Sequence, residues 1–126
     1  MPRPTRWSAS DRRPRLWEVW RVAFDPSDVA VNPEQAEERP AIIVGSGYYC
    51  RLPNRLALVV PLASKDRGLV WQPRLSIGSR NRTQVALVEQ IRAVGYGRLR
   101  HRERATLTSE DIESIRYVLR QMIDLG

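Results

Sequence analysis

The chain has 126 residues, 42% hydrophobic and 28% charged, which suits one globular domain with one core. One cysteine (Cys50) and one histidine (His101) exclude an internal disulfide and a zinc cluster. The net charge of +7 argues for a polyanionic partner, a nucleic acid or an acidic protein; coding bias explains why Lys65 is the only lysine but not the excess of base over acid.

Residues 1–15 carry Arg3, Arg6, Arg12, Arg13 and Arg15 against Asp11 alone, and Pro2, Pro4 and Pro14 break any helix. This segment reads as a flexible basic arm before a domain spanning 16–126. Two readings of the arm stay open, a phosphate-gripping tail and a solvated extension. The N-terminus has no apolar segment of the signal-peptide kind, and no apolar run approaches the roughly 20 residues that cross a bilayer. A cytoplasmic protein that avoids membranes is expected.

"LWEVWRVAF" (16–24) is rich in aromatic and β-branched residues and predicts a strand. A long loop follows, broken by Pro26 and Pro33, and ends at Arg39. "PAIIVGS" (40–46) reads as a short strand buried on both sides, with Arg39 fixed at its mouth by Pro40. "GYYCRLPN" returns the chain, and "RLALVVPLAS" (55–64) forms the next strand. "LVWQPRLSI" (69–77) is a weaker strand, with Pro73 marking an edge or bulge, and "TQVALVEQIRAV" (83–94) reads as one long strand. "LTSEDIESIRYVLRQMIDLG" (107–126) is an amphipathic helix. Thr108 and Asp111 form its N-terminal signal, Ile112, Ile115, Leu119, Met122 and Ile123 its apolar stripe, and Gly126 its stop. Short strands and one packed helix describe a small α+β domain, mainly β, most simply a compact β-barrel.

His101 sits among like charges in "RLRHRER", so a Ser-His-Asp hydrolase is unpersuasive, and no glycine-rich loop with its lysine cradles a nucleotide. Catalysis then falls to arginine, carboxylate and hydroxyl groups, without metal or cofactor. RNA suits that toolkit because it carries its own nucleophile, the 2′-hydroxyl beside each phosphate. An enzyme need only align it, take its proton and stabilise the phosphorane, which a guanidinium fork does well.

Four stretches now stand in a familiar order: "EVWRVAFDP" (18–26), "EQAEERPAIIV" (34–44), "LVVPLASK" (58–65) and "VALVEQIRAV" (85–94). Together with Arg98–Leu99 and the terminal helix, they resemble the MazF/PemK/Kid toxins over residues 16–125. The resemblance implies an SH3-like β-barrel with a C-terminal helix, usually a homodimer. It implies a metal-independent, sequence-specific endoribonuclease acting on single-stranded RNA such as mRNA, leaving 2′,3′-cyclic phosphate and 5′-hydroxyl ends. It also implies an antitoxin partner whose acidic, partly disordered tail blocks the groove.

Carried over by position, Arg39 matches the family's catalytic arginine, and the other reading of Arg39 is an ion pair with Glu37 or Glu38. Glu34 and Gln35 match residues that line the RNA groove. Glu89 matches an acidic residue implicated as general base, or else pairs with Arg92. Lys65, Arg67 and Arg92 are further RNA-binding candidates, and Tyr48, Tyr49 and Trp71 could stack bases. Three departures stand out. Ala63 replaces the family's threonine, leaving Ser64 to supply the hydroxyl. Trp17 stands where the family has glycine, so the backbone or its neighbouring surface must differ. The loop from Pro26 to Arg39 is longer than usual. Two other readings use the same barrel without nuclease activity: a gyrase-binding toxin like CcdB, and a degenerate member that only binds RNA or antitoxin.

Overall fold

The computed structural model describes residues 13–24, 37–77 and 83–124. Within them one antiparallel sheet is built from β1 (Val19–Phe24), β2 (Glu37–Ile43), β3 (Leu56–Ala63), β4 (Arg74–Leu75), β5 (Gln84–Ala86), β6 (Arg92–Gly95) and β7 (Leu99–Arg102). The order is β4-β5-β3-β2-β1-β7, with β6 also paired to β3. A one-turn helix α1 (Gly47–Cys50) follows β2, and α2 (Ser109–Met122) follows β7. The expected mainly-β domain with a C-terminal helix is present. Among the described residues the ladder does not close between β4 and β7, so the barrel is an open one.

Both faces of the sheet are buried, as its continuous apolar runs demand. Val19, Ile42, Val60 and Leu62 face one core, which Ile115 and Val118 of α2 complete. Their strand neighbours Trp20, Val22, Ala41, Ile43 and Val59 face the other, closed by Tyr96 and Leu99. Period-two alternation therefore sets which face every later residue of these strands takes.

Two prolines shape the ladder. Pro61 accepts from Leu87 N–H at 2.9 Å, so its own nitrogen faces the same neighbour and has no hydrogen to offer. There the expected long strand over 83–94 breaks into β5, a 3₁₀ turn at Val88–Gln90, and β6. β6 pairs with the start of β3 and β5 with its end, while Val88 drops into the core. The weak strand over 69–77 shrinks to Arg74–Leu75, directly after Pro73. "GYYCRLPN" contains α1, whose N-cap Ser46 accepts from Tyr49 N–H at 3.2 Å.

Trp17 has a φ of 73°, the left-handed backbone that glycine adopts freely. The surface is therefore what changes: the indole packs on the core beneath α2 and carries the Arg116 guanidinium 5.5 Å from its ring centre. These contacts offset a backbone strain of about 1–3 kcal/mol.

α2 opens on a full capping box, in which Asp111 N–H donates to Thr108 Oγ1 at 3.0 Å and Thr108 N–H donates to Asp111 Oδ2 at 3.2 Å. Asp111 also accepts from Ser76 N–H at 3.0 Å, tying the end of β4 to the helix. The apolar stripe is shorter than expected: Ile115 and Val118 are buried, whereas Met122 and Ile123 are exposed. Gly126 and residues 1–12 of the arm lie outside the described residues. Asp111→Ala leaves the Ser76 amide and one helix end without a partner. It should cost about 2–3 kcal/mol of stability, read from urea unfolding.

Candidate functional site

Backbone parity explains where the surface opens. Ile43 N–H donates to Glu18 C=O toward β1, and Val44 N–H donates to Leu58 C=O toward β3. Alternate residues alternate sides, so the nitrogen of residue 40 faces β3. Residue 40 is proline, and the next ladder bond, to Leu62, has no donor. Pairing of β2 with β3 accordingly stops at Ala41↔Pro61, while β3 runs on to pair Leu62 and Ala63 with β5. The two strands part, and a groove of about 430 Å³ lies between them.

Arg39 and Ser64 both line this groove, with Lys65 and Ala63 beside them. Ser64 escapes the strand alternation that would oppose it to Ala63 because β3 ends at Ala63. Arg39 is registered on Val22 of β1 and its side chain is 30% exposed. Its Nη2 meets Glu37 Oε2 at 2.9 Å, the ion pair that the spacing allowed. Residues two apart on a strand share a face, so Glu37 is held beside Arg39 by β2 itself. Glu38, on the other face, reaches Arg100 Nε at 3.1 Å.

Among the described residues, the remaining sequence candidates do not line the groove. Glu89 Oε2 accepts from the Gln72 amide at 2.7 Å, and Gln72 is buried, so this pair anchors the β3–β4 loop. Arg92 lies over the Phe24 ring at 4.9 Å. Arg67 is exposed in the β3–β4 loop. That loop is latched by Asp66, which accepts from Gly68 N–H at 2.8 Å and from Arg74 Nη2 at 2.8 Å. The Gly68 amide, then Arg74, hold the Asp66 carboxyl below its usual range. Tyr48 and Trp71 are exposed, and Tyr49 is half-buried. Glu34, Gln35 and most of the loop ahead of Arg39 lie outside the described residues.

Sequence reasoning passed over Arg21 and Gln84, which also line the groove, and gave Glu37 no role but ion pairing. Arg21 was legible as the one charge inside "VWRVAF", registered directly on Pro40. Glu37 was legible from period two. Gln84 carried no signal beyond being polar at the start of an apolar run. Burial pushes the Cys50 thiol up, and it donates to Gly45 C=O at 3.3 Å, so it is no nucleophile. Among the described residues no group of His, Cys, Asp or Glu is placed to hold a metal ion, and no helix is long and apolar enough to cross a membrane.

The groove thus gathers three cations (Arg21, Arg39, Lys65), two carboxylates and a hydroxyl, a set that can bind a phosphodiester and move a proton. Pro40→Ala restores the missing donor. Residue 40 N–H should become exchange-protected as the ladder extends to Leu62.

Comparison with known proteins adds an independent line. A family model described as PemK-like, MazF-like toxin of type II toxin–antitoxin systems matches residues 15–123. Among solved structures, MazF from Deinococcus radiodurans superposes with a TM-score of 0.67 at 18% identity, covering 89% of this chain and 97% of that one. An endoribonuclease from a mycobacterial species, in complex with its cognate antitoxin, gives 0.66 at 18% identity over 90% and 97%. A MazF toxin of Mycobacterium tuberculosis gives 0.66 at 14% identity over 86% and 98%. No curated protein sequence matches the chain.

Proposed function

Because the chain belongs to the PemK-like, MazF-like toxin family of type II toxin–antitoxin systems, we propose that it is a metal-independent endoribonuclease cutting single-stranded RNA in the Arg39 groove. The observation that carries this reading is the meeting of Arg39, Ser64 and a carboxylate in a cleft opened by Pro40. Arg39 pairs with the non-bridging oxygens of the scissile phosphate, exchanging Glu37 for a better-matched anion. Glu37, rather than Glu89, takes the 2′-hydroxyl proton. The 2′-oxygen then bonds to phosphorus as the bond to the 5′-oxygen breaks, leaving a 2′,3′-cyclic phosphate. The departing 5′-oxygen takes a proton from solvent and Glu37 returns its own, so no net proton is consumed. Ser64 and Lys65 steady the phosphate, Ser64 in place of the threonine that Ala63 lacks.

A cognate antitoxin with an acidic tail competes for the same cations, in keeping with the +7 charge and with the antitoxin complex of the mycobacterial relative. A homodimer in the cytoplasm, as in the family, completes the proposal. The test is incubation of the purified protein with a long single-stranded RNA in excess EDTA. Discrete cuts with 5′-hydroxyl ends support the reading, and intact RNA at high protein concentration overturns it in favour of a member that only binds.

A further inference from the structure

A second cleft, of about 450 Å³, lies against the α2 face of the sheet and shares four wall residues with the groove: Arg21, Pro40, Leu62 and Gln84. The two cavities therefore meet where β2 and β3 part. We propose that this second cleft is a base-recognition subsite for a nucleotide flanking the scissile phosphate, with the Gln84 side-chain amide as the reading group. The proposal rests on the ribonuclease reading for its substrate class.

Its walls have the composition that a splayed-out base requires. Val19, Leu62 and Ile77 give an apolar floor, and a few polar groups stand at the rim. Gln84 is one of them. It is half-buried, and its amide makes no hydrogen bond among the described residues. An amide both donates and accepts, so it can tell one base edge from another. Its backbone is fixed by strand pairing, Gln84 to Leu75 of β4, which gives the reading group a rigid mount.

The opposite rim is built with equal care. Arg21 pairs across β1 with Pro40 on one side and His101 on the other. The β1–β7 register then skips Arg100, passing from Arg21↔His101 to Val22↔Leu99. Such a bulge re-aims a side chain, and here the His101 imidazole lines the cleft beside Arg21. Arg21 holds Glu103 only loosely, at 3.7 Å, and can turn toward a phosphate on the groove side. The Glu103 carboxylate in this rim disfavours an acidic peptide and favours a neutral base.

The experiment has two arms on the full-length protein. In the first, 5′ ends of a long RNA are mapped after cleavage by wild type, Gln84→Ala and Gln84→Glu. The recognised sequence should relax at one position next to the cut in Gln84→Ala and change its preferred base in Gln84→Glu. The kcat/KM on the preferred site should fall about 10–100-fold. An unchanged recognition sequence in both variants overturns the subsite. In the second, uncleavable 2′-O-methyl tetranucleotides or a poly-glutamate peptide are titrated into ¹⁵N-labelled wild type. The oligonucleotide should shift the Gln84 side-chain amide signals. A shift with the peptide alone, or with neither ligand, overturns the proposal. If the oligonucleotide shifts Gln84 but no RNA is cut, the subsite stands and the nuclease reading falls.

Discussion

Arg39→Ala should lower the single-turnover rate of RNA cleavage by about 10²–10³-fold, the usual loss when one preorganised donor to a developing oxyanion is removed. Its fold should survive. Among the described residues Arg39 has one ion-pair partner, Glu37, whose side chain is 65% exposed, and exposed pairs contribute about 1 kcal/mol or less. The loss therefore belongs to the transition state and not to unfolding. Urea unfolding beside the rate measurement separates the two. Arg39→Lys should recover only part of the rate, because an ammonium keeps the charge but lacks the planar fork that spans two phosphate oxygens. An Arg39→Ala protein that cuts as fast as wild type would remove the groove from consideration.

Pro40 links that residue to the fold, and it marks how far the sequence could be read. A rigid placement for Arg39 was legible from the proline beside it. What period-two reasoning did not supply was the direction of the missing N–H, which needs the neighbouring strands' hydrogen bonds to fix parity. Pro61 acted in the same hidden way. It broke the segment over 83–94, whose apolar pattern alone reads as one strand, and so moved Glu89 onto a 3₁₀ turn against Gln72. The helix was legible because its cap and stripe are local signals, and only its last turn overran, where no core remains to cover Met122. Gln84 becomes a site residue through its place beside β3 and β4, and nothing within its own segment announces that, whereas Arg21 shows at least as the one charge inside its strand.

Glu37→Gln offers the sharpest test of which carboxylate takes the proton. Cleavage should fall by about 10²–10⁴-fold at neutral pH, because the proton acceptor is removed. The other charged groups that line the groove, Arg39, Arg21, Lys65 and Glu38, are unaltered by the substitution, so the loss reports Glu37 itself. Glutamine keeps the length of the side chain and still accepts from Arg39 through its carbonyl, so displacement of the guanidinium does not explain a loss. Glu37→Asp, with its carboxylate drawn back, should restore part of the rate. The opposite result is equally informative. If Glu37→Gln cuts faster and binds RNA more tightly, the 2.9 Å ion pair is a brake that the phosphate must displace, and the proton acceptor has to be sought elsewhere in the groove.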